Sequence, residues 1–520
     1  MSVKVYHAYA YLVGILQDTN NISTENTVAS LHRPAQPGSR SRHCSSFGSI
    51  IQLRSVLQLS PRLAELYLHR IRIEQESWAY HLARTISGIT TLQTLRLTIL
   101  SAKNISGIIA PTIFFACPPL IKTLSVEVHS LRLETYRAMT STSQEEPRTR
   151  REEPLYRPTD FTMAVEHHFH FSDIVEMLEH SPELASMNAP LLAPIGSMEH
   201  AAATILNLCP KLRNLSLQVY YDDLSEQVAF VMLNLMPKDT LQFFSYVIYR
   251  ERNSNSLVAP LGRHFDSLRS IKLIKCGWIR PEQVQAVLYN CSVLEVFVIT
   301  GACDHELYIS VGDLVVERWA STRFVELTLT ADIETIENPR YQTRRDLTEE
   351  EKRQVLPFEK LYRQLGSLTT LRVLCLSVLV SADVLDMEKN PLAFRDYTFP
   401  GLLVLGDDDR DHEGQWGFLQ ELAGLGNLEV VRGSFNTEAW MPSGYEFEKR
   451  DAEFIAAHWP RLRSIEFVLP SHFVDIEGYN LAPHPYIVWL RRQLPQVKIV
   501  VVHDSTTNEL VDEINGFDFD

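Results

Sequence analysis

The stretch FDSLRSIKLIKC, residues 265–276, carries the spacing that decides the fold. Aliphatic side chains stand at Leu268, Ile271 and Leu273, which is the pattern L-x-x-L-x-L. The same spacing recurs elsewhere in the chain, at Leu63–Leu66–Leu68, Leu92–Leu95–Leu97, Leu212–Leu215–Leu217 and Leu371–Leu374–Leu376. A pattern that returns at a fixed period indicates stacked repeats, because one such unit cannot bury its apolar side alone.

The first residue of each repeat can be placed at fourteen positions. They are Leu63, Leu92, Ile121, Leu184, Leu212, Leu241, Leu268, Leu294, Phe324, Leu371, Leu402, Leu428, Leu462 and Leu494. From Leu184 to Phe324 the spacing between neighbours stays between 26 and 30 residues. Three copies are degenerate, namely SPELASM at Leu184, DTLQFFSYV at Leu241 and LPQVKIVVV at Leu494. This period and spacing are typical of leucine-rich repeats.

Each repeat predicts one strand and one helix. In SPRLAELYLHR the alternation of a strand turns Leu66 and Leu68 inward and Tyr67 outward. In PEQVQAVLYN, residues 281–290, the proline suits a first helical turn and the apolar residues form one stripe. A strand and a helix in every repeat require right-handed crossovers and a parallel sheet. We therefore expect an α/β fold: a right-handed leucine-rich repeat solenoid (horseshoe) with a parallel β-sheet on the concave face and helices on the convex face.

The repeats are expected to occupy residues 49–503. Residues 1–48 carry no repeat, and their polar, Ser-, Pro- and Asn-rich composition predicts a largely disordered N-terminal segment. Two charged, proline-containing stretches interrupt the period as insertions, at about 134–160 and 331–357. The second contains TEEEKRQ, which favours a helix because opposite charges four residues apart can pair. Residues 504–520 are predicted to be an acidic C-terminal tail.

Composition narrows the classes of partner. The net charge of -15 argues against a nucleic-acid surface, which needs a basic stripe. The seven cysteines include no CxxC pair and lie mostly at repeat junctions, so we expect buried thiols in a reducing compartment. The longest apolar run is broken by prolines, which predicts no membrane span. We expect the protein in the cytoplasm, the nucleus or both.

The concave face is the predicted binding surface, because its outward positions alternate with the buried leucines. The candidate protein-binding residues on this face or its rim are Tyr67, His69, Arg96, Glu127, Gln218, Lys272, Glu326, Asp408 and Glu466. An extended face of mixed charge with occasional aromatic residues suits a protein substrate or a peptide. Asp408 belongs to the acidic run DDDRDHE, residues 407–413, which lacks the glycine and the glutamate that a calcium loop requires.

No motif in the chain indicates catalysis or a cofactor. There is no G-x-S-x-G elbow, no phosphate-binding glycine loop and no HExxH. The cluster EHHFH, residues 166–170, leads directly into a predicted helix and does not supply ligands from separate elements. We therefore predict a binding protein, not an enzyme, with no catalytic, metal or cofactor residues.

The segments SPRLAELYL, CPKLRNLSL, FDSLRSIKLIKC, EKLYRQLGSLTTLRVLCL and HWPRLRSIEF resemble the divergent leucine-rich repeat proteins of early-branching filamentous fungi, which are classed with F-box proteins. The resemblance covers about residues 50–500 and concerns repeats of the ribonuclease-inhibitor type. It implies the substrate-recognition arm of an F-box-type (SCF) ubiquitin ligase. In that family an N-terminal F-box docks on the Skp1 adaptor, and the repeats select the protein to be degraded.

The chain departs from the family in one respect. Residues 1–48 show no Leu-Pro-x-Glu opening of an F-box, and the similar Leu356–Glu359 runs directly into a repeat. No docking residue is therefore carried over, and the Skp1 adaptor is expected as a partner only if an F-box lies upstream. The alternative is a ligase-independent scaffold or inhibitor protein built from the same repeats.

Overall fold

The computed structural model is built around parallel strands, of which each repeat supplies one. The residues divide into two units between Met236 and Pro237. In each unit the strands lie side by side in chain order. The structure describes residues 63–73, 75–101, 106–130, 153–165, 171–190, 197–219, 223–248, 258–274, 276, 279–300, 309–333, 349–380, 405, 418–433, 449–470 and 485–504.

The first unit contains strands β1 to β6 and helices α1 to α5. The strands are β1 (Glu65–Ile73), β2 (Thr94–Ser101), β3 (Thr123–Ser130), β4 (Asp160–Val165), β5 (Ser186–Pro190) and β6 (Asn214–Val219). The helices are α1 (Glu76–Ser87), α2 (Ser106–Ala116), α3 (Phe171–Glu179), α4 (Met198–Leu208) and α5 (Asp223–Leu235). Each of these helices packs against the next one along the chain.

The second unit contains strands β7 to β14. They are β7 (Phe243–Ile248), β8 (Ser270–Ile274), β9 (Val296–Ile299), β10 (Glu326–Ile333), β11 (Val373–Val380), β12 (Val430–Gly433), β13 (Ser464–Pro470) and β14 (Lys498–Asp504). The connecting helices are α6 (Val258–Leu261), α7 (Pro281–Asn290), α8 (Val311–Leu314), α9 (Glu349–Gly366), α10 (Lys449–His458) and α11 (Pro485–Gln493). Among the described residues of these connections, Gly262–His264 and Leu419–Gly424 form 3-10 turns.

The expected α/β leucine-rich repeat fold is confirmed by this arrangement. Twelve of the fourteen predicted repeat starts lie two residues before a strand. The leucine positions are buried, with Leu66, Leu215 and Ile271 fully enclosed. Helix α7 begins at Pro281 as the sequence predicts, and its apolar stripe is buried. The amide of Arg280 donates to the side chain of Gln283 at 3.0 Å, which satisfies one free donor of the first turn.

The amino end of each strand is held by the repeat before it. The amides of Gln93 and Thr94 both donate to the carbonyl of Ala64, at 2.8 and 3.0 Å. Arg372 and Val373 repeat this geometry on Val325, at 2.9 and 3.0 Å. Because the pattern recurs in both units, each repeat fixes the register of the next.

A second set of hydrogen bonds links successive repeats through the residue that directly precedes the first leucine of a repeat. The hydroxyl of Thr91 donates to the carbonyl of Leu63 at 3.0 Å. Ser267 donates in the same way to Leu241 at 2.7 Å, and Thr370 to Phe324 at 2.8 Å. The hydroxyl therefore satisfies a carbonyl at the repeat junction that the strand ladder leaves open.

The structure corrects the sequence-based prediction at one repeat in the first unit. Strand β4 was not predicted, because no leucine marks it. Pro158 is buried two residues before the strand, in the place that leucine takes elsewhere, and Phe161 and Met163 fill the inward positions. The interval between Ile121 and Leu184 therefore holds a repeat that the leucine pattern does not reveal.

Two predicted repeats of the second unit also differ. Strand β11 pairs directly with β12, so no strand from a repeat at Leu402 lies between them. Leu402 lies outside the described residues, but Leu405 donates its amide to the buried carboxylate of Asp451 at 2.7 Å. The last strand begins at Lys498, four residues after Leu494 instead of two.

Several predicted segments lie outside the described residues. They are the N-terminal segment 1–48, the larger part of the insertion at 134–160 and the tail from residue 505 onward. Glu349 and Arg353 of the second insertion belong to helix α9, in agreement with the helix predicted for TEEEKRQ. Within the described part of the chain, no helix combines the length and the apolarity that crossing a bilayer demands.

Close packing between two repeats depends on a pair of glycines. Helix α9 ends at Gly366, against the 3-10 turn Leu419–Gly424. A Cβ atom at Gly366 would lie 1.9 Å from the carbonyl oxygen of Glu421, and one at Gly424 would lie 2.9 Å from the carbonyl of Gly366. Only glycine allows the two backbones this approach.

We predict that Leu215→Ala and Leu273→Ala each lower the free energy of unfolding by about 2–5 kcal/mol, as large-to-small changes in a packed core do. Tyr67→Ala should lower it by less than about 1 kcal/mol, since the ring stands on the outward face. Chemical denaturation followed by circular dichroism measures both. A larger loss for Tyr67 than for the leucines would mean that the two faces of the sheet are inverted.

We predict that Gly366→Ala destabilises the protein by about 1–3 kcal/mol or more, because the backbone of Glu421 must move to admit the methyl group. Gly88→Ala is the matched control at the end of helix α1. Its Cβ would meet its nearest neighbour at 3.4 Å, so stability should change by about 0.5 kcal/mol or less. Equal thermal midpoints for the two variants would show that the helices do not approach as closely as described.

Candidate functional site

The outward face of the sheet in the first unit is polar. The register of the strands places outward residues of neighbouring strands directly opposite one another. Two such rows of residues, here called register lines, run across the sheet. The first line contains Glu65, Thr94, Thr123, Asp160, Ser186 and Asn214. The second contains Tyr67, Arg96, Ser125, Thr162, Asn188 and Ser216. These side chains offer donors, acceptors and charges, with one aromatic ring at the β1 end.

Two of the predicted site residues contact each other on this face. The guanidinium carbon of Arg96 lies 5.6 Å from the centre of the Tyr67 ring, a cation–π distance. The Tyr67 hydroxyl donates to Glu65 Oε2 at 3.5 Å. Tyrosine and arginine are both residue types that are frequent at the centres of protein interfaces.

The other predicted residues of the first unit also lie on this face. His69 stands at a break in the β1–β2 register, between Leu68 and Ile71, and is exposed. Glu127 lies on β3, where its Oε2 is 4.0 Å from His129 Nε2. Gln218 Nε2 donates to Asn188 Oδ1 at 3.3 Å, one strand away. The five predicted residues of this unit therefore lie on the outward face of the sheet, and their role in binding a protein stays a prediction.

In the second unit, Lys272 and Glu326 form an ion pair across an intervening strand. Lys272 Nζ lies 3.3 Å from Glu326 Oε2, although β9 runs between their strands. Val298 on β9, the register neighbour of Lys272, is buried. Asp408 lies outside the described residues. Glu466 lies on β13, aligned with Val500, but its side chain is not among those described.

A charged amino-terminal edge in the second unit was missed by the sequence prediction. The residue just before each strand is charged in most repeats, and these side chains pair along the edge. Arg269 Nη1 lies 3.0 Å from Glu295 Oε1, and Glu429 accepts from Arg372 at 2.7 Å and contacts Arg463 at 3.6 Å. The sequence signal was available, since each of these residues directly follows the first leucine of its repeat.

The most strongly shifted titratable groups lie in the interior. Burial raises the pKa of the Cys209 thiol to about 12, and it also raises the pKa of the Cys291 thiol and of the Tyr362 hydroxyl. All three groups are therefore protonated at neutral pH. The thiols at Cys117, Cys209 and Cys291 are buried at repeat junctions, where the sequence placed them as small filling side chains. Among the described residues, no cluster of His, Cys, Asp or Glu side chains could hold a metal ion.

The repeat pattern, the parallel strands and the buried leucines define a leucine-rich repeat solenoid protein. No family model matches the chain, and no curated protein matches it. Among solved structures, the chain is similar to one in the crystal structure of the Rad7 and Elc1 complex in yeast, at 14% sequence identity and a TM-score of 0.27. The similarity covers 64% of this chain and 79% of that chain. A likeness at this level says nothing about what this protein binds.

The ion pair of Lys272 and Glu326 in the second unit can be tested by exchanging the two charges. Lys272→Glu should lower the free energy of unfolding by about 1 kcal/mol, because it places two carboxylates together where the side chains are 32% and 30% exposed. Adding Glu326→Lys should recover most of that loss, which urea denaturation of the single and double variants measures. Additive losses in the double variant would show that the two side chains do not meet.

Proposed function

We propose that this chain is a protein-interaction module that binds a protein partner on the outward face of its sheet. The observation that carries the proposal is the contact of Arg96 with Tyr67, flanked by the polar lines of the first unit. A protein surface is recognised by a mixture of aromatic, guanidinium and hydrogen-bonding groups, and this face supplies all three. A binding role rather than catalysis is supported by the pairing of this face's groups with one another and by the position of the protonated thiols in the core.

We further propose that the bound protein is a substrate for degradation, and that the chain is the recognition arm of an F-box-type ubiquitin ligase. The resemblance of the repeats to the fungal F-box class supports this assignment. It also supports a fungal source and a place in the cytoplasm or nucleus, where such ligases act. The Skp1 adaptor would then be the second partner, reached through an F-box.

A ligase-independent scaffold or inhibitor is the second candidate function. It is favoured by the position of Leu356–Glu359, which match the Leu-Pro-x-Glu opening of an F-box in sequence. Those four residues belong to helix α9, which includes Pro357 and packs within the repeats. In this alternative the partner would be held without being marked for degradation.

Photo-crosslinking tests the binding face directly. Benzoylphenylalanine in place of Tyr67 or Phe243 puts the crosslinker on the outward face of each unit. The matched controls are Tyr80 on helix α1 and Tyr289 on helix α7, which are likewise partly exposed. We expect one protein partner to be captured from at least one outward position and from neither helix position. Equal capture from the helices, or none from either strand, would contradict the proposal.

The half-life of the captured partner separates the two candidates. For a ligase arm, depletion of this chain should lengthen that half-life severalfold, and the Skp1 adaptor should co-purify with the full-length protein. For a scaffold or inhibitor, the half-life should stay unchanged while the complex remains stable. Pulse-chase labelling of the partner in cells with and without the chain gives the answer.

A further inference from the structure

The outward face of the second unit carries an apolar line that has no counterpart in the first unit. Its first register line contains Phe243, Ser270, Val296, Glu326, Val373, Val430, Ser464 and Lys498. Phe243, Val296, Val373 and Val430 are all partly exposed there. We name these four residues the apolar line. The equivalent positions of the first unit hold only polar side chains, so the two faces suit different ligands.

Two charged side chains of this face form an ion pair. Lys272 and Glu326 pair at 3.3 Å over the buried Val298, next to the apolar line. Val298 is the register neighbour of Lys272, and Val296, a member of the apolar line, is the register neighbour of Glu326. A partner that covers this region would therefore meet one ion pair beside four partly exposed apolar side chains.

The amino-terminal edge beside the apolar line carries three arginines and two glutamates among its described residues, one positive charge in excess. Each residue of the edge directly precedes a residue of the first register line, as Arg372 precedes Val373. The arginines Arg269, Arg372 and Arg463 are 60%, 53% and 71% exposed, and they share only two glutamates. Glu429, which pairs with two of them, is only 15% exposed. Cationic groups therefore project beside the apolar line, in a chain whose net charge is -15.

The spacing of the apolar line matches an α-helix that lies across the strands. Strands lie about 4.8 Å apart, so the two-strand steps from Phe243 to Val296 and from Val296 to Val373 each span roughly 9.6 Å. Seven residues of an α-helix span about 10.5 Å, and Val430 follows after one strand, close to the rise of one helical turn. An amphipathic helix with two seven-residue steps between its apolar residues, followed by one step of a single turn, can therefore place one on each member of the line.

The geometry points to an acidic amphipathic helix of a partner protein as the ligand of the second unit. Its apolar residues would rest on the apolar line, and its Asp and Glu residues would face the arginines of the edge. This inference rests on the proposed binding function and names the chemistry of the partner.

Three synthetic helical peptides of equal length test the inference against the full-length chain by fluorescence anisotropy. The first has leucines at the matching positions and glutamates on the flank. The second replaces the glutamates with lysines, and the third replaces the leucines with serines. We expect the first peptide to bind at least about tenfold more tightly than either of the others, and its affinity to fall as salt rises. Equal binding of the acidic and basic peptides, or no binding of the first, would overturn the inference.

Matched variants locate the bound peptide. Val373→Asp should weaken binding about tenfold, whereas Thr123→Asp, at the same line of the first unit, should change it less than about twofold. Arg372→Gln should weaken binding about threefold and reduce its salt dependence, whereas Arg213→Gln, at the same edge of the first unit, should do neither. Thermal unfolding checks that each variant is folded. If Val373→Asp does not fold, Val373→Thr keeps the shape of the side chain and should still weaken binding severalfold.

The partner captured by crosslinking distinguishes the failure of this inference from the failure of the proposed function. A partner that crosslinks from Phe243 and is released by Val373→Asp would support both. A partner that crosslinks only from Tyr67, and is indifferent to Val373→Asp, would overturn the helix inference and leave the binding function intact. The absence of any partner on either strand would overturn both.

Discussion

Each repeat of this protein needs the next repeat to satisfy its backbone hydrogen bonds and to bury its leucines. The rest of the structure depends on that constraint. The backbone carbonyl just before one strand accepts two amides from the next repeat, and the threonine or serine before the first leucine adds a third contact. No repeat can satisfy these groups or bury its leucines alone. The register is therefore passed from strand to strand, which aligns the outward residues of many repeats into lines. Because the outward residues are aligned in this way, several short strands together form one broad face.

The spacing of the leucines was enough to predict the fold class, because it reports burial at alternate positions of a strand. The leucine spacing failed to reveal a repeat in which another residue is buried at the leucine position. Pro158 is as well buried as a leucine and precedes β4, but a proline does not show in a leucine pattern. The Leu402 repeat shows the opposite error, since a leucine-rich segment matches the pattern while β11 and β12 pair without it.

The candidate site was only partly predictable. Alternation placed Tyr67, Arg96, Lys272 and Glu326 on the outward face, since it needs only the strand period. It could not foresee that Arg96 stacks on Tyr67, or that Lys272 reaches Glu326 across a whole strand, because those contacts depend on register between repeats distant in sequence. The apolar line and the arginine edge were missed for the same reason, since each needs several repeats to be aligned.

Cysteine scanning along β2 measures the alternation on which this account depends. Single cysteines at Arg96, Leu97, Thr98 and Ile99 would be treated with a maleimide in the folded protein, with the labelling of the parent chain subtracted. The account predicts rapid labelling at positions 96 and 98, and protection at 97 and 99 until denaturant is added. Labelling of all four at one rate, or with the period of a helix, would contradict both the strand assignment and the binding face built on it.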